Sequence, residues 1–169
     1  MKEPNIRLRA LELEDLDFLY HIENDDRLWE LGVSNVPYSR RVLLDYITSA
    51  SADIYVDNQV RLIVENELSE QVGILDLTDF DPRHHRAELG IVIKKEFQGQ
   101  GYAKASVSRL LQYARNILHL QQIYAIVGIR NQKAAKMLQS VGFEGNNILK
   151  QWLCGPVGYE DAMFFQYFL

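Results

Sequence analysis

The stretch from Ala87 to Ala103 carries the residues best suited to chemistry. Ala87 to Ile93 reads as a strand, Gly99 and Gly101 punctuate a turn, and apolar residues at helical spacing follow from Ala103. The first amides of a helix have no partner within it and carry the positive end of its dipole. Glycines let such a turn take a positive φ and let its backbone approach a ligand closely. A strand, a glycine turn and a helix start therefore form a seat for an anion, a phosphate or pyrophosphate above all. Two other phosphate motifs fail here. No Gly-Lys-Ser/Thr is present, and position 104, where a dinucleotide fingerprint needs its third glycine, is Lys. Glu88 adds a second kind of chemistry. Strand alternation places Glu88, Gly90 and Val92 on one face and Leu89, Ile91 and Ile93 on the other. A carboxylate thus stands beside a glycine that leaves room next to it. It can take a proton from a substrate, or it can pair with Arg86 or Arg109.

The elements that must hold these residues alternate along the chain, which indicates a mixed α/β or α+β domain spanning residues 1–169. Ile6–Ala10 alternates as a short strand, and Asp15 to Tyr20 begins an amphipathic helix. Ser39 suits the N-cap of a second helix carrying Val42, Leu43, Tyr46 and Ile47. Val60–Val64 and Val72–Leu77 read as one hairpin across the polar Glu65–Gln71. Val107, Leu110, Leu111, Ala114, Ile117 and Leu118 keep helical periodicity over four turns. Gln122–Val127 reads as a strand, and Gln132–Val141 as a helix ending at Gly142. Two last strands, Ile148–Cys154 and Ala162–Phe168, are broken apart by Gly155, Pro156 and Gly158.

Gln98-x-x-Gly101-x-Ala103 resembles the pyrophosphate loop of the GNAT N-acetyltransferases, Arg/Gln-x-x-Gly-x-Gly/Ala. Its surroundings extend the resemblance over nearly the whole chain. Asn131-Gln132-Lys133-Ala134 and Gly142-Phe143 resemble the family's next helix start and its closing pair. Leu8 to Leu16 resembles the opening strand and helix, and Gly158-Tyr159-Glu160-Asp161 the turn before the last strand. The nearest branch contains the spermidine and ribosomal-protein N-acetyltransferases. The resemblance implies an acyl-CoA N-acyltransferase fold, with a central, mostly antiparallel sheet and helices on both faces. It implies an acetyl-CoA-dependent N-acetyltransferase that acts on a primary amine by direct attack on the thioester.

Residue by residue, the resemblance implies that the backbone of Ile91, Val92 and Ile93 pairs with the pantetheine arm. It implies a pyrophosphate on the amides of Gln98, Gly99, Gln100, Gly101, Tyr102, Ala103 and Lys104, with Asn131 contacting the cofactor or ordering the bound state. Glu88 matches a frequent family base, acting directly or through water. Asp76 and Asp79 match acidic positions that face the amine in the spermidine branch. Two departures stand out. The family's usual acid, a Tyr seven residues after the Asn, is Leu138 here, which cannot donate a proton. A thiol has a pKa of about 8.5, so its thiolate leaves tolerably without one. This departure keeps open a second reading, a CoA-binding sensor or interaction module of weak activity. The acidic residues that spermidine enzymes carry before their Pro-Tyr are also missing, the local residues being Ser34, Asn35 and Val36 before Pro37 and Tyr38. That ranks a peptide N-terminus or another small amine above a polyamine.

The chain has 169 residues, a net charge of −5 and one cysteine, Cys154. No Lys/Arg block is long enough for nucleic-acid binding, no apolar run is long enough for a bilayer, and the N-terminus lacks the apolar core of a leader. The expectation is a cytoplasmic protein without a disulfide, a nucleic-acid partner or a membrane partner, and the family adds possible homo-oligomers. No metal site is expected, since His84 and His85 are adjacent and no ligand spacing follows. Cys154 reads as a buried small hydrophobe in a strand. The Phe164, Phe165, Tyr167 and Phe168 cluster reads as core or subunit interface, and Trp29 as core or substrate wall.

Overall fold

The computed structural model describes residues 3–29, 36–51, 53–155 and 157–169, with the side chains of Trp29 and Asn146 also outside the description. The reading of Trp29 as core or substrate wall, and that of Ser34 and Asn35, lie outside the described residues.

Hydrogen bonds join Ile6–Ala10 (β1), Val60–Asn66 (β2), Gln71–Asp81 (β3), Arg86–Ile93 (β4), Gln122–Gly128 (β5), Glu144–Gly155 (β6) and Gly158–Phe168 (β7) into one sheet. The order is β1-β2-β3-β4-β5-β7-β6. Every neighbouring pair is antiparallel except β4–β5, which is parallel and holds only Arg86↔Gln122, Ala87↔Ile123 and Glu88↔Tyr124. A parallel pair needs a crossover, and the chain between these strands supplies it as a helix, Tyr102–Asn116 (α5).

Alternation along the strands divides the core in two. Leu75, Leu77, Leu89, Ile123 and Phe165 turn one way, onto the buried Val107, Leu110 and Leu111 of α5 and onto Leu138 of Gln132–Val141 (α6). Ile63 and Ile74 turn the other way, onto Phe18 and Leu19 of Leu16–Glu23 (α1) and Leu43 and Ile47 of Arg40–Ser49 (α3). Helices therefore cover both faces of a mostly antiparallel sheet. Among the described residues, α1 and α3 reach only the β2–β3 region of their face.

Local signals act where the sequence places them. Ser39 Oγ accepts from Val42 N at 3.2 Å and starts α3. Gly142 at φ +109 closes α6, its amide donating to Leu138 O and Gln139 O. Arg9 fastens β1 to the entry of α1: its Nε donates to Glu65 Oε1 at 2.6 Å, and its two terminal nitrogens donate to the buried Asp15 at 2.6 and 2.7 Å. A fork-shaped guanidinium matches that carboxylate bidentately.

Three details differ from the sequence reading. Two one-turn helices, Asp26–Trp29 (α2) and Ile54–Asp57 (α4), are too short to show periodicity, although Asp53 caps the second through Tyr55 N. The β6–β7 hairpin begins earlier than expected, at Glu144. Cys154, expected to be buried, is exposed. The hairpin carries register shifts at Gly145/Asn147 and Leu149/Leu153, with Gln151 at φ +49. Such irregularities bend and twist a strand pair, so residues distal to them leave the plane that covers the core.

Candidate active site

The phase of the β3–β4 ladder decides which backbone groups of β4 are free. Lys94 N donates to Val72 O at 2.9 Å. Hydrogen-bonded pairs alternate along an antiparallel ladder, so Val92 and Gly90 turn their amides and carbonyls to β3. Those of Ile91 and Ile93 turn the opposite way, towards β5. There β5 no longer pairs, because its ladder with β4 stops at Glu88↔Tyr124. A gap opens between the two parallel strands beyond that pair. Ile91 presents an amide and a carbonyl to it. Ile93 presents an amide, its carbonyl being taken by Gln98 Nε2 at 2.9 Å. Of the three residues read as holding the pantetheine arm, Val92 is the exception, because its backbone is turned to β3.

The gap leads to the turn before α5. Gln98 ties the turn back to Ile93, and Gln100 Nε2 donates to Glu96 O at 2.8 Å. Gly99 and Gly101 sit at φ +76 and +89, where any side chain is strained. A Cβ on Gly101 would also stand 3.1 Å from Pro4 Cδ. No side chain caps the N-terminus of α5. Its first amides, with Tyr102, Ala103 and Lys104, are therefore open to an anion at the positive end of the helix dipole.

Asn131 lies at the far side of the gap. Its Oδ1 accepts from Ala134 N at 3.1 Å and caps α6, while Nδ2 has no partner among the described residues. Replacing Asn131 by Ala is expected to cost about 1 kcal/mol, which lowers the melting temperature by about 2–4 °C in a chain of this size. Thermal unfolding of the ligand-free protein reads this loss. Leu138, seven residues on, is 2% exposed in the core, so the usual acid position offers only hydrocarbon.

Glu88 is half-buried on the face opposite α5, in one row with Thr78 of β3 and Tyr124 of β5. Neither expected ion pair forms. Arg86 binds Asp81 at 3.1 Å, and Arg109 lines a separate groove between β1 and α5. Glu88 makes no hydrogen bond or ion pair among the described residues. Burial, and then the charge of Asp79, push its carboxyl above the ordinary glutamate value.

The two acidic residues read as facing the acceptor part company. Asp76 is held by Arg61, whose Nε and one terminal nitrogen reach its oxygens at 2.8 and 3.0 Å, and whose other terminal nitrogen binds Glu23 at 2.6 Å. The Asp76 carboxylate already has its cation. Asp79, three residues on, belongs by strand parity to the opposite face. A bulge between Thr78 and Asp81 breaks that parity, and Asp79 at φ +48 stays exposed and close enough to shift Glu88.

Tyr124 is the residue the sequence did not single out. Its ring stacks on Phe164 with centroids 5.3 Å apart and planes 22° apart. The other aromatics of the last strand divide: Phe165 is fully buried, Tyr167 leans on Phe143, and Phe168 is 59% exposed. His84 and His85 sit in an exposed turn whose amides at Arg83 and His84 donate to Asp81.

A family model described as "Acetyltransferase (GNAT) domain" matches residues 5–144. The spermidine N(1)-acetyltransferase of Vibrio cholerae serotype O1 is 30% identical over 159 residues, 93% of this chain and 89% of that protein. The spermidine N(1)-acetyltransferase of Escherichia coli K12 is 30% identical over 139 residues, 82% of this chain and 73% of that protein. The crystal structure of the Vibrio cholerae spermidine N-acetyltransferase in complex with CoA and spermine superposes with a TM-score of 0.84, at 28% identity, covering 96% of this chain and 95% of that one. A further structure of the Vibrio cholerae enzyme, described as dodecameric, has a TM-score of 0.81 at 28% identity and covers 96% of this chain and 93% of that one. The open strand gap, the uncapped glycine turn and the sheet order thus sit on a sequence that belongs to the GNAT acetyltransferase family, and the chain is an N-acetyltransferase that moves an acetyl group from acetyl-CoA to a primary amine.

Proposed function

We propose that the acceptor is a polyamine of the spermidine class, that the gap between β4 and β5 holds the pantetheine arm, and that Glu88 is the base. One observation carries this reading. The strands part immediately after the pair that contains Glu88, and the gap runs from there to the uncapped start of α5. Ile91 and Ile93 offer the arm its backbone partners, and residues 98–104 with Asn131 offer the anionic end its amides. An ammonium of pKa about 10.4 must lose a proton before it attacks. Glu88 takes that proton. The nitrogen lone pair then forms a C–N bond to the thioester carbon, and collapse of the tetrahedral intermediate breaks the C–S bond. The nitrogen's surplus proton passes to solvent, and the thiolate leaves ionised or takes a proton from water. The carbonyl oxygen of the intermediate lies within reach of a free β4 amide, a donor fixed before the reaction.

The spermidine acetyltransferases among the relatives favour a polyamine over the peptide N-terminus that the region around Ser34 suggests. Asp79 and Glu88 supply the negative field a polycation meets, while Asp76 is the partner of Arg61. Copies of the chain associate through the outer β6–β7 hairpin, where Trp152, Val157 and Tyr159 are 55, 86 and 69% exposed. Among the described residues no helix is long and apolar enough to cross a membrane.

The test is thiol release from acetyl-CoA with spermidine, a simple monoamine and a peptide with a free N-terminus, with product masses recorded. Spermidine is expected to gain one acetyl group at the highest kcat/KM. Acetylation of the peptide alone would overturn the acceptor assignment. Binding of CoA without product from any amine would favour the second reading, a CoA-binding module, for which the buried Leu138 speaks.

A further inference from the structure

We propose that Tyr124 is a further residue of the transfer reaction, its phenol oxygen orienting the attacking amine at the mouth of the β4–β5 gap. The inference rests on the reading of that gap as the reaction site. Glu88 and Tyr124 are the last register pair before the strands separate, one on each side of the opening. Residues paired across a ladder point to the same face, so both side chains stand on the face away from α5, the side on which an acceptor meets the thioester. In this face the row Thr78, Glu88, Tyr124 and Gln166 crosses four strands, and Gln166 is occupied by Gln122 through a 2.9 Å hydrogen bond. Tyr124 and Glu88 are the two groups of the row at the opening that carry proton chemistry.

The surroundings fit this use. Stacking on Phe164 fixes the ring, so the hydroxyl is held in place rather than sampled. The hydroxyl has no hydrogen-bond partner among the described residues, which for a half-buried phenol leaves a place for a ligand atom. Burial first, then the charges of Glu88 and Asp79, with a smaller one from Asp81, raise the Tyr124 pKa against the opposing pull of Arg86. The phenol therefore stays neutral throughout the working range and keeps a lone pair to offer. An amine between the two groups gives one N–H to Glu88 and another to the Tyr124 oxygen. Its lone pair is then left aimed into the gap. No covalent bond to Tyr124 forms, and no proton leaves it.

Tyr124→Phe tests this directly, since it keeps the ring and its stack on Phe164 and removes one oxygen. The nitrogen turns cationic as its lone pair attacks, so the bond becomes one to a charged group in the transition state, and its loss is expected to lower kcat/KM for spermidine by about ten- to a hundredfold. The Kd for acetyl-CoA and the melting temperature are expected to stay put. The acidic limb of the pH profile is also expected to keep its position in Tyr124→Phe and to vanish in Glu88→Gln, which separates an orienting oxygen from the base. A kcat/KM within about twofold of the wild type would overturn the role of Tyr124 alone. A loss accompanied by an equal loss of acetyl-CoA affinity would overturn it too, by assigning the residue to the gap's architecture. A wild-type protein that acetylates no amine would overturn this role together with the proposed function.

Discussion

Glu88→Gln is expected to lower kcat/KM for the amine by about 10²–10⁴, the usual contribution of a positioned general base. Steady-state rates of thiol release give this figure, and the Kd for acetyl-CoA is expected to be unchanged. The wild-type profile of kcat/KM against pH carries an acidic limb above the range of an ordinary glutamate, because burial and Asp79 both disfavour the charged carboxylate. The same shift has a consequence for stability. A carboxyl whose folded-state pKa is raised favours the fold below its unfolded pKa, and that contribution is lost as the pH rises through the folded value. At neutral pH the ionised Glu88 is therefore a burden on the fold that Gln removes. The variant is expected to melt higher than the wild type at neutral pH, and the difference is expected to vanish in acid. A slower enzyme with a firmer fold is the signature of a residue kept for chemistry. Equal rates for variant and wild type would remove Glu88 from the mechanism.

Gly101→Val is expected to weaken acetyl-CoA binding by about a hundredfold or more, read by calorimetric titration. Two effects combine. Valine at φ +89 is a strained conformation, since a left-handed residue with a Cβ costs about 1–2 kcal/mol and a β-branched one more. The new side chain also meets Pro4 Cδ at the place where the turn must stay open. Relief of either strain moves the amides proposed to face the anion, and each lost hydrogen bond to a charged group is worth about 1.5–3 kcal/mol. Gly99→Ala is the control: its Cβ would meet nothing within 4 Å, so only the backbone strain remains and the loss is smaller. Unchanged affinity in Gly101→Val would mean that the cofactor sits elsewhere.

The parts of this site legible in the sequence are those fixed by a few neighbouring residues. Ser39, Asn131 and Gly142 act through groups three or four positions away, and each stands at the helix end its type suggests. The glycine turn and the two faces of β4 follow from local geometry in the same way. Three features depend on partners that no short window contains. Asp76 reads as a free carboxylate until register places Arg61 opposite it. Asp79 sits on the wrong parity until the bulge turns it. Tyr124 meets Glu88 only through a parallel pairing made by a helical crossover, for which strand periodicity carries no signal. Cys154 departs from its expected burial for a related reason: alternation assigns a face, but a twisted hairpin end has no core to face.

The sheet can also be viewed as two antiparallel leaves, β1–β4 and β5–β7, joined edge to edge by the short β4–β5 ladder. The hydrophobic layer beneath α5 spans both leaves, with Leu75, Leu77 and Leu89 on one side of the seam and Ile123 and Phe165 on the other, so side-chain packing ties the leaves together where backbone hydrogen bonds do not. A long, jointed cofactor must thread in and slip out once per turnover. On the proposed reading, a cofactor that enters along this seam displaces no hydrogen bond of the sheet, so the exchange of spent for fresh donor leaves intact the ladders that hold the reacting groups in place.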